Sequence, residues 1–233
     1  MERSRQVVLE NLAEIRRRLS AACERAGRDP ASVRVVAIGK TVEPQALRWV
    51  REGGVLDLGE NYVRELRAKR GEVPGARWHF VGVLQHSGAH HVAEVADVVQ
   101  TVVPGRAMLR LARRTDERGH EMPSLVEVDF TGERTGVSPD DVVSACDEVA
   151  GTRGLALRGL MTLPPPTPTA EGARTYFRRL RELGEAVAER HPEAVELSMG
   201  MSLDYEVAAE EGATMVRIGT ALFGARPSDR GRT

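Results

Sequence analysis

Lys40 stands directly after the apolar run 33–38 and Gly39, and just before Thr41. The chain carries 33 Lys plus Arg, yet Lys40 and Lys69 are its only lysines. An arginine guanidinium keeps its proton and cannot act as an amine nucleophile, whereas a lysine partly withdrawn from water can lose its proton and condense with a carbonyl. A lysine kept here by so arginine-rich a chain is therefore a candidate Schiff-base residue. Against it stands the ordinary strand-end lysine, its stem along apolar surface and its amine in water. A second group lies far along the chain. Ser198-Met199-Gly200-Met201-Ser202 leads into the helical pattern LDYEVAAEEG, and Gly219-Thr220 precedes another short apolar turn. Backbone N–H groups at such turns, opened by glycine and assisted by hydroxyls, bind phosphate. Either turn alone could equally be a hydroxyl-capped corner, but two at neighbouring strand ends favour phosphate. Arg217, in the otherwise apolar TMVRIG, needs an acceptor if buried. Glu127 or Asp129 would serve in a plain ion pair, a ligand atom in a functional one. Alternation by two puts Arg217 and Gly219 on one face of their strand.

These residues meet only if the segments carrying them belong to one sheet. Apolar runs rich in β-branched residues occur at 33–38, 55–58, 78–83, 98–103, 125–128, 157–163, 195–197 and 215–218, with helical patterns between most of them. Val8, Leu12, Ile15, Leu19 and Ala22 mark one face of a leading helix that ends near Gly27. Pro44 opens a helix whose stripe is Leu47 and Val50 and whose stop is Gly53-Gly54. Continuous apolar strands alternating with helices indicate a parallel sheet covered on its faces. Eight such units predict an α/β fold, a closed (β/α)8 TIM-type barrel with an extra N-terminal helix. A doubly wound sheet would want G-x-G-x-x-G after its first strand, which AIGKTVEP does not supply. In a barrel, function gathers at the C-terminal ends of the strands. The first ends in Gly39-Lys40-Thr41, the second in Gly59-Glu60-Asn61-Tyr62, and the third in Gly82 with Gln85 and His86 following.

Composition narrows the classes. At 233 residues, 41% apolar and 29% charged, the chain can bury a full core, and a net charge of −1 leaves no footprint for nucleic acid or an anionic membrane. Cys23 and Cys146 lie far apart, so neither a disulfide framework nor a zinc site is indicated. His86, His90 and His91 include an i, i+4 pair without a third ligand, so no metal is expected. The charged N-terminus lacks the apolar run of a secretory signal, and no segment reaches a bilayer-spanning length. A soluble, cytoplasmic protein is expected, and a monomer, because no helix shows an interaction stripe.

AIGKT, GENYVRE, WHFVGVLQ, GLMTL and above all LSMGMSLDYEVAAEEGATMVRIGTALFGAR closely resemble the pyridoxal-phosphate homeostasis protein family, from about Val7 to Arg226. The resemblance implies a fold-type III barrel like the N-terminal domain of alanine racemase, a single domain over residues 1–226 with a disordered tail at 227–233. It implies pyridoxal 5′-phosphate (PLP) held as an internal aldimine on Lys40. Ser198, Met199, Gly219 and Thr220 would surround the phosphate, Asn61 would line the cofactor's face, and Arg217 would approach the pyridine nitrogen. A guanidinium there keeps that nitrogen unprotonated and the ring a weak electron sink. In alanine racemase the second acid/base is a tyrosine from a separate β-domain of the partner subunit. The chain is expected to end soon after its eighth strand without such a domain, and Tyr62, Tyr176 and Tyr205 are not obviously placed to replace it. Two functions follow: a non-catalytic carrier that buffers PLP or delivers it, with apo PLP-enzymes as recipients, or a weak PLP-dependent amino-acid racemase. The missing domain favours the carrier, with no catalytic residue. Relatives often read GHLQSNK where this chain has Gly82-Val83-Leu84-Gln85-His86-Ser87-Gly88. Where they place asparagine on strand five and lysine in the next loop, it has Asp129 and Glu133-Arg134-Thr135-Gly136.

Overall fold

Short β-branched runs closed by glycine or a polar residue are what a buried parallel strand requires. The computed structural model describes residues 4–224. Its strands are β1 (Arg34–Ile38), β2 (Asp57–Glu60), β3 (Arg77–Phe80), β4 (Val98–Val102), β5 (Met122–Val128), β6 (Leu155–Thr162), β7 (Glu196–Ser198) and β8 (Met215–Ile218). Every neighbouring pair is parallel, and β1 pairs with both β2 and β8, so the sheet closes into a barrel in chain order. The expected TIM-type barrel is the fold observed.

The helices are α1 (Arg5–Arg25), α2 (Pro44–Glu52), α3 (Val63–Glu72), α4 (Ala89–Val95), α5 (Arg106–Glu117), α6 (Val142–Ala150), α7 (Arg174–Arg190), α8 (Tyr205–Glu210) and the single turn α9 (Thr220–Phe223). α1 is the predicted leading helix. Ser4 caps it by accepting from Val7 N–H, and its stripe Val8, Leu12, Ile15 and Leu19 is buried. It packs against α2, α8 and α9, across the seam where the first and last units of the barrel meet.

Two apolar cores result. The larger lies between helices and barrel, and the smaller fills the lumen with Val36, Val98, Leu125, Met161 and Met215. The lumen also holds polar side chains, and these displaced one strand from its expected place. The run 55–58 predicted the second strand, but pairing with β1 starts at Val36↔Asp57, and Leu56 is exposed. Inward positions of β2 are Asp57 and Gly59, so hydropathy does not mark its second half. Gly59 leaves room for the tip of Ile38, since a Cβ there would stand 2.5 Å from Ile38 Cδ1 and make that side chain turn aside.

Cys23 and Cys146 are both buried, and burial pushes both thiols up, Cys146 to about 12. Among the described residues no helix is long and apolar enough to cross a membrane. The expected tail at 227–233 lies outside the described residues, as do the last two residues of the expected domain.

Candidate functional site

Strand β1 delivers Lys40 to the C-terminal mouth of the barrel through a tight turn. Gly39 N–H donates to Gly59 O at 2.8 Å, and Val42 N–H returns to Gly39 O at 2.9 Å. The half-buried Lys40 lines a cavity of about 690 Å³ together with Asn61, Thr101, Glu127, Arg134, Thr135, Ser202, Arg217, Gly219 and Thr220. That volume lies within the usual range of small-molecule sites, about 300–1,000 Å³. A recess of about 40 Å³ continues from it between Lys40, Thr41, Gly219 and Thr220. Asn61 reaches the cavity because Gly82 lets two loops touch. A Cβ on Gly82 would lie 1.9 Å from Asn61 O, which no other residue could accommodate.

The loops after β7 and β8 are stitched together around the expected phosphate seat. Arg217 N–H donates to Gly200 O at 2.9 Å, Met201 N–H to the Asp204 carboxylate at 2.6 Å, and Ala221 N–H to Ser202 Oγ at 3.0 Å. Of the residues expected around the phosphate, Gly219 and Thr220 line the cavity. Ser198 and Met199 do not: both are fully buried beneath it, and Met199 N–H is engaged by Met215 O at 3.1 Å. Ser202, three residues on from Met199, presents the hydroxyl at this place.

Arg217 is buried, as expected, but pairs with neither Glu127 nor Asp129. Its Nη1 donates to Ser198 Oγ and its Nη2 to Thr162 O, both at 2.7 Å. Asp129 instead ties its own loop, accepting from Thr131 and from Arg134 N–H. Ser198 marks the start of a polar chain through the lumen. Its hydroxyl donates to Gln100 Oε1 at 2.7 Å, Gln100 Nε2 meets His79 Nδ1 at 2.8 Å, and His79 Nε2 meets Asp57 Oδ1 at 2.8 Å. Arg77 Nε closes the chain on Asp57 at the far end of the barrel. With Gln100 Nε2 donating to His79 Nδ1 and His79 Nε2–H donating to Asp57, the donors from Arg217 through His79 all point towards the Asp57 carboxylate. Asp57, His79 and Gln100 escaped the sequence reading, although each interrupts an apolar segment with a polar side chain.

Electrostatics follow burial. Burial lowers Arg217 to about 10, opposed by the charges of Asp204 and Glu127, and it is still a cation at neutral pH. Burial raises Glu127 against the pull of Arg217 and Arg134, and raises Asp204. Among the described residues no cluster of three His, Cys, Asp or Glu could hold a metal ion. A second cavity, about 590 Å³, lies between α4 and α5, where Arg113 and Arg114 are paired with Glu117 and Glu94. It contains no lysine.

The family model described as alanine racemase, N-terminal domain, matches residues 11–227. The chain belongs to this family. Curated relatives include the pyridoxal phosphate homeostasis proteins of Pseudomonas aeruginosa, 38% identical over 94% of this chain and 96% of that protein, and of Escherichia coli, 37% identical over 94% and 97%. Among solved structures, PipY of Synechococcus elongatus with PLP bound superposes with a TM-score of 0.81 at 31% identity, covering 93% of this chain and all of that one. An alanine racemase from Clostridium difficile shares the fold at 15% identity with a TM-score of 0.76. There this chain spans 58% of the larger protein.

Proposed function

We propose that this chain binds PLP through Lys40 and serves PLP homeostasis in the cytoplasm as a monomeric carrier, buffering the cofactor and delivering it to apo-enzymes. The observation that carries the reading is the convergence of Lys40, Asn61, Ser202, Arg217, Gly219 and Thr220 on one cavity, in a chain so similar to proteins of that name. The donor set fits the group. Lys40 offers an amine for the aldehyde, the linked Ser202 and Gly219-Thr220 loops offer hydroxyls and main-chain donors for the phosphate, Asn61 borders the ring, and Arg217 offers a guanidinium for the pyridine nitrogen. Bound PLP supplies an electrophilic aldehyde and, where its ring is protonated, an electron sink. Arg217 works against that sink, because two adjacent cations in a buried site repel. No tyrosine lines the cavity among the described residues. Tyr62 is 59% exposed, Tyr176 packs near Phe130, and Tyr205 is buried under Arg18. Binding without turnover is what these residues support.

The test is the visible spectrum of the purified protein with PLP beside Lys40→Ala, followed by borohydride reduction and peptide mapping. A lysine-bound band that the variant lacks, with the reduced adduct on Lys40, is expected. An adduct on Lys69, or no band, refutes the reading. Sustained exchange of an amino acid's Cα proton, lost in Lys40→Ala, would make the chain a racemase-like enzyme instead.

A further inference from the structure

Lys69, on α3, is 7% exposed, and all three of its ammonium donors are used. Nζ donates to Gly39 O at 2.8 Å, to Glu60 Oε1 at 2.5 Å and to Glu65 Oε2 at 2.7 Å. Glu65 Oε2 also accepts from Thr41 N–H at 3.1 Å, and Glu60 Oε2 from Asn61 N–H at 3.1 Å. The carbonyl before Lys40 and the N–H after it are therefore both held by one side-chain cluster, which also holds Asn61. Thr41 shows the consequence: among the described residues it alone, glycines apart, has a positive φ, +61°. A β-branched residue adopts that conformation only where its surroundings impose it. The cluster also explains a lysine in an arginine-rich chain. Three acceptors converging from separate elements suit a tetrahedral ammonium, whereas a planar guanidinium fork does not match them.

We propose that Lys69, with Glu65 and Glu60, positions Lys40, locking the Gly39–Thr41 turn so that the amine is aimed into the cavity. The inference rests on the PLP-binding reading above. In the capture step the Lys40 amine would bond to the aldehyde carbon and give up its two hydrogens, which leave with the carbonyl oxygen as water, so capture depends on the angle of approach. Burial works to raise Glu65, but its hydrogen bonds to Lys69 and Thr41 outweigh burial and lower it, so it is an anion at neutral pH and a firm acceptor. The cluster touches the turn and not the ligand.

Two probes separate aim from fold. PLP can form the bond to Lys40. Pyridoxine 5′-phosphate, an alcohol where PLP has the aldehyde, fills the same cavity without it. Glu65 is about one-third exposed, so Glu65→Ala tests the turn without opening the core; Lys69→Gln tests its buried end. In both variants capture of PLP, read from the visible band and the borohydride-trapped adduct, is expected to fall at least about fivefold. The dissociation constant of pyridoxine 5′-phosphate is expected to stay within about twofold of wild type, and Glu65→Gln, which keeps an acceptor for Thr41, to capture PLP normally. Equal weakening of both probes, or unchanged capture in Glu65→Ala and Lys69→Gln, overturns the proposal. Absence of a Lys40 adduct in the wild type overturns the parent reading, and is seen before any substitution is made.

Discussion

Arg217 is a buried cation whose direct acceptors, Ser198 Oγ and Thr162 O, are neutral. The lowering of its pKa from 12.5 to about 10 by burial amounts to roughly 3 kcal/mol of disfavoured charge. Replacing it by a flexible apolar side chain relieves that cost but leaves two buried acceptors without a donor, a loss of about 1–3 kcal/mol each. The two effects nearly cancel. Arg217→Met is therefore expected to change the unfolding free energy by less than about 1 kcal/mol in urea titrations while weakening PLP binding about tenfold or more, a cost to function and not to fold. Lys40 and Arg217 were legible as single residues because each breaks the local pattern, one a lysine among arginines and the other a charge inside a strand. Lys69 was passed over, because at an i, i+4 spacing from Glu65 it reads as an ordinary helix-surface pair. Its burial comes from Gly39 and Glu60, contacts made by other elements. Ser198 and Met199, expected at the phosphate, lie buried below the cavity while Ser202 of the same motif lines it, a difference set by the path of the loop, which the sequence pattern does not encode.

At the level of elements, five strands each give one side chain to the lumen chain that runs from Arg217 to Asp57. Burial raises Asp57, but its bonds to His79 and Arg77 dominate and hold it at about 2, below its ordinary 3.8. A carboxyl lowered in the folded state stabilises it above the unfolded pKa, and that contribution is lost as pH falls through the folded value. Asp57→Asn is thus expected to cost roughly 2 kcal/mol at pH 6, with the difference from wild type shrinking between about pH 4 and pH 2. Denaturant titrations of both proteins across that range check it, and a difference that does not vary with pH would show Asp57 unpaired. Most strands were legible from β-branched runs alone. β2 came out displaced because Asp57 and Gly59 face the lumen, so the cue of a buried apolar strand fails where the lumen is polar.

Across the whole molecule, barrel closure is what brings residues 40, 61, 127, 202, 217 and 220 to one mouth. Eight runs in sequence sufficed to expect it, while the lumen chain, whose Ser198–Gln100 link crosses the barrel from β7 to β4, left no periodic trace. Closure also couples the site to global stability. α1 spans the β1–β8 seam, and Asn11 Nδ2 donates to Leu222 O of α9 at 3.0 Å, so the elements bearing Lys40 and Thr220 are tied to the N-terminal helix. A ligand bound at this mouth bridges the same seam and stabilises the folded state by RT ln(1 + [L]/Kd), about 2.7 kcal/mol at a hundredfold excess over Kd. For a chain of this length that is a rise in Tm of roughly 5 °C. Thermal melts with both ligands at one concentration, about a hundredfold over the Kd of pyridoxine 5′-phosphate, are expected to show such a rise with pyridoxine 5′-phosphate and a larger one with PLP in the wild type. In Lys40→Ala the PLP shift should shrink to that of pyridoxine 5′-phosphate, since the phosphate seat is intact and only the covalent contribution is gone. Loss of both shifts would mean that Lys40 itself builds the seat, and an undiminished PLP shift would mean that the bond to Lys40 adds nothing to affinity.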